Sequence, residues 1–308
     1  MLVAVTGATG VLGRAAVPAL VAAGHTVRGS ARTGEGAAAL RDLGAEPRPA
    51  DVLVRDSLLG FFEGAEVVVN LATRLPSGIR AGMPGAFREN DRLRTRGAAT
   101  VVAAAHASGV RCLIQESVSF VYADNGDDWI DEQHHLDITP ATEPAAVSES
   151  HAQDFGSGQR TSVVLRFGTV VGDDPLTRFQ LRSASQHRGV GIGRPDTWTH
   201  LVHTDDVGPA LVAALHAPSG VYNVGAEPVL RRDLMAGYAS AAGVDEVGYL
   251  GGVVRRLAGT RLEPLARSLR VSSESFSSLT GWAPVRPTFD ACWLESAARH
   301  ATQGTGRG

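Results

Sequence analysis

The first residues able to do chemistry are three glycines. T6-G-A-T-G-V-L-G13 follows the apolar run Leu2 to Val5 and leads into a helix-like segment. In that setting Gly7 permits a tight turn, Gly10 lets backbone N–H groups approach a pyrophosphate, and Gly13 allows close helix-to-strand packing. The helix N-terminus then turns its partial positive charge towards the phosphates. Gly7, Thr9, Gly10, Val11, Leu12 and Gly13 are the expected dinucleotide cradle, set against the plainer reading of a tight turn alone.

The next strand ends in H25-T-V-R-G-S-A-R32, which puts Ser30 where an NAD-selective site carries an acid for the ribose hydroxyls, and Arg32 just beyond it. Arginine pairs with a 2′-phosphate that a carboxylate would repel, so NADP is expected and NAD less so. The competing reading leaves Arg28 and Arg32 as solvated surface residues. Tyrosine occurs only at 122, 222, 238 and 249, and lysine not at all; all 29 basic residues are arginine. Any mechanism needing a lysine amine is excluded.

These residues need a frame. Apolar runs at Leu2 to Val5, His25 to Arg28, Val67 to Leu71 and Cys112 to Gln115 alternate with helix-like segments near Gly10 to Ala23, Gly36 to Leu43 and Arg88 to Ser108. Strands separated by helices predict βαβ units, hence an α/β fold with a doubly wound parallel sheet covered on both faces. A helix near Ala145 to Phe155 and a strand at Ser162 to Phe167 extend it. One domain is expected over 1–172, rejoined at about 200–225 by a helix after Asp205 and a strand at Val221 to Val224. A smaller, interleaved C-terminal substrate lobe is expected over 173–308, with an unpacked tail after Thr302.

A chain of 308 residues, 44% hydrophobic, can bury a full core, and a net charge of -3 from interspersed residues gives no field for nucleic acid or anionic lipid. No segment reads as a signal peptide or a membrane span, so a cytoplasmic protein with small-molecule partners is expected. Cys112 and Cys292 are expected as buried packing residues.

In order along the chain, the glycine loop, A50-D51-V52, V68-V-N-L-A-T73, L165-R-F-G-T-V-V-G172, H203-T-D-D206 and G220-V-Y-N-V224 resemble the extended branch of the short-chain dehydrogenase/reductase superfamily. That group contains NAD(P)-dependent sugar epimerases, dehydratases and related reductases. The resemblance implies a Rossmann domain with a small C-terminal substrate domain. It also implies an adenine contact at Asp51 and Val52, a strand end beneath the nicotinamide ribose at Leu71, Ala72 and Thr73, and a homodimer through helices flanking the sheet. The family's machinery is a Ser or Thr followed, after about two dozen residues, by Tyr-x-x-x-Lys, in which tyrosine handles the substrate proton and lysine lowers its pKa. Where the pair should fall, the chain reads I138-T-P-A-T-E-P-A-A-V-S-E149, with neither residue.

Within Q115-E-S-V-S-F-V-Y122, similar to the family's Ser-Ser-x-x-Val-Tyr, Val118 holds the catalytic-serine register and Ser117 is the nearest substitute, unless its hydroxyl is satisfied by backbone. Tyr122 is the one tyrosine near the presumed pocket, in a position usually structural in the family, and an unperturbed phenol with a pKa of about 10 needs an activating neighbour. Arg94 stands where the family has asparagine, either lending charge to a substrate anion or tied to a carboxylate. Ser119, Phe167 and His200 are expected on the substrate side, with Arg94, and His203 as a proton source. Asp205 and Asp206 precede an apolar helical run and are expected to cap it. Adjacent His134 and His135 lack the i, i+4 spacing of a helical zinc site, so no metal is expected, and either is a weaker proton source.

The expected activity is NADP-dependent hydride transfer on a small or medium organic substrate with a non-standard proton donor; a reduction needing little acid catalysis would tolerate the missing tyrosine best. A non-catalytic NADP-binding sensor is the alternative, and a non-redox isomerase, lyase or cyclase on the same fold is a further one.

Overall fold

The computed structural model describes residues 1–76, 83, 85–251 and 259–303. The chain opens with β1 (Leu2–Thr6), α1 (Val11–Ala22), β2 (Thr26–Ser30), α2 (Gly34–Asp42), β3 (Glu46–Arg48), α3 (Arg55–Phe62) and β4 (Val67–Asn70). Helix α4 (Arg88–Arg92) runs through a π-helical turn, Leu93–Gly97, into α5 (Ala98–Ala107), so the expected long helix exists but is interrupted. Then come β5 (Cys112–Val118), β6 (Trp129–Ile130), α6 (Glu143–Phe155), β7 (Thr161–Phe167), β8 (Thr169–Val171), α7 (Pro175–Ser185), β9 (Trp198–Thr199), β10 (Leu201–His203) and α8 (Thr204–Ala214). The C-terminal part adds β11 (Gly220–Val224), β12 (Val229–Leu230), α9 (Arg231–Ala242), α10 (Glu263–Ala266), β13 (Arg270–Val271), α11 (Glu274–Thr280) and α12 (Glu295–Gln303). The tail after Thr302 lies, from residue 304 on, outside the described residues.

Seven strands form one parallel sheet in the order β11-β7-β5-β4-β1-β2-β3. Strands such as V67-V-V-N70 are apolar on both sides because both faces are covered. On one face Val3, Val5, Ile114 and Leu165 pack with Val17 and Leu20 of α1 and Leu211 of α8. On the other, Val68, Leu113 and Val164 meet Phe61, Phe62 and Phe155. Fully burying each such side chain is worth about 1.5–3 kcal/mol, enough to fix the helices to the sheet. A third cluster joins Leu181, Tyr238, Trp293 and Leu294. Strand order reverses between β1 and β4, and the crevice outside the C-terminal strand ends at that switch point is where doubly wound sheets bind ligands.

Two readings of single residues change. Cys112 is buried in β5 as expected, but Cys292 is exposed. Arg28 is not a solvated surface residue: it is buried, and its guanidinium donates to the carbonyls of Phe61 and Glu63 at 2.8 Å each. Among the described residues, no helix is long and apolar enough to cross a membrane.

Candidate active site

The glycine loop joins β1 to α1 at the switch point. Gly7 has φ 67°, and a Cβ there would run into the Leu71 backbone; at Gly13 it would meet the carbonyl oxygens of Gly7 and Ala8. Packing within the chain therefore demands both glycines. Gly10 differs, because its Cβ would meet only the Gly7 oxygen, at 3.2 Å, and it caps α1 with no side chain over the first-turn N–H groups. A Cβ at Gly10 would be tight against that oxygen rather than clashing outright, and would stand at the N-terminus of α1. Gly10→Ala is therefore expected to leave thermal stability nearly unchanged while weakening dinucleotide affinity about 10-fold or more, the loss of about one charge-assisted contact; equal affinity by calorimetry would contradict that.

The other residues expected at the dinucleotide also emerge at C-terminal strand ends: Ser30 and Arg32 at β2, Asp51 and Val52 after β3, and Leu71, Ala72 and Thr73 after β4. Ser30 Oγ accepts the Gly7 N–H at 3.1 Å, which pins the loop to β2 and leaves the serine proton to donate elsewhere. Arg32 is exposed and, among the described residues, has no carboxylate partner. Val52 is buried, and the Asp51 carboxylate accepts the Leu53 N–H at 2.9 Å. A cleft of about 630 Å³ opens beside the loop, with Thr9, Gly10 and Val11 on one side and Asp173, Arg178 and Asp205 on the other.

At the ends of β5 and β7 four ionisable side chains are buried together. Glu149, from α6, accepts the Ser117 hydroxyl at 2.5 Å and takes Arg166 bidentately, at 3.0 and 2.6 Å. Ser117 and Arg166 are register partners on adjacent strands, so their side chains leave the same face, the one α6 covers. Beside them Arg94, placed by the π-helical turn, donates to Glu116 at 2.6 Å. All four charged groups are under a tenth exposed. Burial works against the Arg166 charge, but the hydrogen bonds and charge of Glu149 outweigh it and hold the guanidinium above its ordinary range. Burial also pushes the Glu116 carboxyl up, against the pull of Arg94. Thr6, Asn70 and Gln115 form a hydrogen-bonded ladder across β1, β4 and β5, at 2.5 and 2.8 Å.

The expected site residues sort unevenly against this network. Ser117 belongs to it, but its hydroxyl is satisfied by a carboxylate rather than by backbone. Arg94 takes the carboxylate-tied role, with Glu116 as partner, so its charge is not free for a substrate anion. Tyr122 is fully buried, lies 4.8 Å beneath the Arg166 guanidinium and donates to Asn223 Oδ1 at 2.8 Å. Burial pushes its phenol up to about 12, so it keeps its proton at neutral pH. Ser119 is buried at the strand end, and Phe167 packs into the core.

His203 and His200 have no hydrogen bond to this network. His203 caps α8: its Nδ1 accepts the Asp205 N–H at 3.1 Å, and its ring packs edge-on to Trp293. Burial lowers its pKa, so it is neutral there. The cap is thus the histidine, not the aspartates expected to cap. Asp206 instead accepts the Val285 N–H at 2.5 Å and the Arg286 N–H at 3.3 Å, tying the C-terminal segment to α8, and Asp205 lies 3.6 Å from Arg286. His200 is 2% exposed, lies over Gly225, and neither ring nitrogen has a partner among the described residues. His134 packs against the Tyr122 ring, and the described residues hold no cluster of three metal-capable groups.

The family model for the NAD dependent epimerase/dehydratase family matches residues 3–225. The chain belongs to that family. Two curated relatives are reductases: the 3-diazoavenalumate denitrifying reductase of a Streptomyces species, 30% identical across 94% of this chain and 98% of that protein, and a dihydroquinoline-oxide ketoreductase of Stigmatella aurantiaca, 31% identical across 86% and 80%. Solved structures with the same fold include MoeE5 in complex with UDP-glucose and NAD (TM-score 0.79, 21% identity, covering 99% of this chain and 100% of that one) and the UDP-glucose 4-epimerase of Thermotoga maritima (0.80, 18%, 99% and 100%). This member of the epimerase/dehydratase family is an NAD(P)-dependent enzyme.

Among the described residues, Glu149 is the ionisable residue that α6 buries against the sheet, and four residues earlier on the same face is Ala145.

Proposed function

We propose that the protein is an NADPH-dependent reductase of aryl diazo compounds that releases dinitrogen. The observation that carries this reading is the α6 corner, where we place Ala145 and Glu149 at the family's Tyr-x-x-x-Lys spacing and where Glu149 is wholly engaged by Ser117 and Arg166, so that neither a phenol nor an amine stands there. Proton demand separates the possible reductions. A carbonyl becomes an alcohol by taking up a hydride and a proton, whereas an aryl diazonium ion plus hydride gives an arene and dinitrogen with no proton consumed. Losing a positioned general acid costs about 10²–10⁴ in a reaction that needs one and nothing in one that does not. The similarity to a diazo-compound reductase over nearly the whole chain supports the same choice.

The dinucleotide supplies the hydride when bound. Its pyrophosphate would rest on Gly7 to Gly13 and the α1 N-terminus, its adenine by Asp51 and Val52, and its nicotinamide ribose above Leu71, Ala72 and Thr73. Ser30 and the unpaired Arg32 would hold a 2′-phosphate. The small-molecule substrate would meet the C-terminal edge of the sheet beside the nicotinamide; Ser119, Phe167 and His200, expected on the substrate side, are each buried and present next to no surface to it.

With benzenediazonium as probe, NADPH oxidation should exceed the protein-free rate, saturate, and release dinitrogen in step with NADPH consumed, while acetophenone gives none. Faster reduction of the ketone than of the diazonium ion would overturn the reading. For the coenzyme, Arg32→Asp should weaken NADPH binding by about 10–100-fold, the loss of a charge-assisted hydrogen-bonded pair, and shift preference to NADH; an unchanged ratio of the two affinities would remove Arg32 from the site.

A further inference from the structure

An aryl diazonium ion is also a reagent. Phenolates couple to it through a ring carbon, amines add to give triazenes, and thiolates add at its terminal nitrogen. The family's usual pair would set the two most effective traps, a phenol of lowered pKa and an amine, against the very group to be reduced. Helix α6 follows the C-terminal end of β5 and returns to the start of β7, so it begins at the crevice edge, and Ala145 lies one turn nearer that edge than Glu149. Both places are occupied by groups that form no stable adduct, a methyl and an ion-paired carboxylate.

Two hydroxyls nearby are withdrawn as well. The Ser117 proton is held on Glu149, and the Tyr122 phenol is buried, un-ionised and bonded to Asn223. Charge points the same way: two arginines and two glutamates leave the corner neutral, where an added ammonium would repel a cationic substrate.

We propose that Ala145 and Glu149 are specificity-determining positions that clear the hydride-receiving corner of nucleophiles, so that an electrophilic diazonium substrate survives long enough to be reduced. This rests on the diazo reading above, and its test separates the two.

Wild type, Ala145→Tyr and Ala145→Cys are each loaded with NADPH, turned over with benzenediazonium, digested and mapped by mass spectrometry. Ala145→Cys changes volume little, so its folding does not depend on accommodating a ring. In the tyrosine variant a bond forms between the terminal diazonium nitrogen and a ring carbon beside the hydroxyl, and the displaced ring hydrogen leaves to water as a proton. In the cysteine variant the nitrogen–sulfur bond forms with loss of the thiol proton; neither step is a redox change. Exposed Cys292 serves as the internal standard for reagent exposure. The expected result is an adduct at residue 145 in both variants, accompanied by a rate that decays during turnover, with residues 138–155 of wild type unlabelled while Cys292 is labelled. Variants that stay unlabelled at 145 and keep a constant rate, with wild type reducing the probe, would overturn this inference alone, as would wild type labelled at Ser117 or Tyr122. Wild type that binds NADPH but never reduces the probe overturns the functional reading and this inference with it.

Discussion

Glu149→Ala should lower the free energy of unfolding by about 3–5 kcal/mol, because it strands the Arg166 guanidinium, charged and only a few per cent exposed, without its bidentate partner. The converse change, Arg166→Met, strands the carboxylate and should cost a similar amount. Replacing both with apolar residues of similar volume should recover most of the loss, since the two desolvation costs vanish together with the attraction they support. Denaturant titration of the three variants at pH 7 checks this, and single variants within about 1 kcal/mol of wild type would show that the pair is not buried as described. The Arg94–Glu116 pair should matter less, because among the described residues it makes a single hydrogen bond and leaves Arg94 Nη1 and Glu116 Oε2 without partners. The large expected effect at Glu149 follows from the number of elements it joins. Through Ser117 it holds β5, through Arg166 it holds β7, and Tyr122 beneath that guanidinium passes the chain of contacts to Asn223 of β11. Glu149 is thus a strut that ties α6 to β5 and β7.

That strut was not legible by motif, although a trace of it was present. The glycine loop can be read from sequence because most of its constraints are local: the positive φ at Gly7 and the approach of Gly13 to the Gly7 and Ala8 carbonyls lie within a few residues. The Ser117–Glu149 contact spans 32 positions and depends on the phase of a helix that nothing nearby fixes. The available signal was Arg166 inside T161-S-V-V-L-R-F167, since a charge in a strand buried on both faces must have a partner, and Glu143 and Glu149, the two acids of I138-T-P-A-T-E-P-A-A-V-S-E149, were candidates for it. Elements missed in the fold have equally local causes. E46-P-R48 contains a proline and has three residues, yet it pairs because it is the sheet edge, where the proline's missing N–H costs nothing. R55-D-S-L-L-G-F-F62 is a short helix with an internal glycine, held by burial of Leu58, Phe61 and Phe62 rather than by propensity. At α8 the rule favouring aspartate as cap lost to tertiary demand, because Asp206 was needed by the N–H groups of Val285 and Arg286.

The second large effect is expected in acid. His200 is buried in the fold with its pKa lowered by desolvation from 6.5 to about 3, so it stays neutral there while the unfolded imidazole titrates normally. Above about pH 6.5 both states are neutral and the group has no influence on stability. Below it the unfolded chain binds a proton that the folded one refuses, and stability falls by about 1.4 kcal/mol per pH unit until the folded imidazole itself titrates near pH 3. At pH 5 the loss from this residue is about 2 kcal/mol. His203 and His25, whose pKa values burial also lowers, act with the same sign. His200→Leu should therefore narrow the stability difference between pH 7 and pH 5 by about 2 kcal/mol relative to wild type. At pH 7 the same variant should be close to neutral in stability, because neither ring nitrogen has a hydrogen bond to lose and an apolar side chain leaves no buried polar atom unpaired. Equal pH dependence in wild type and variant would mean that the folded imidazole takes up its proton as freely as the unfolded one, and that His200 is open to solvent or to a partner rather than sealed over Gly225.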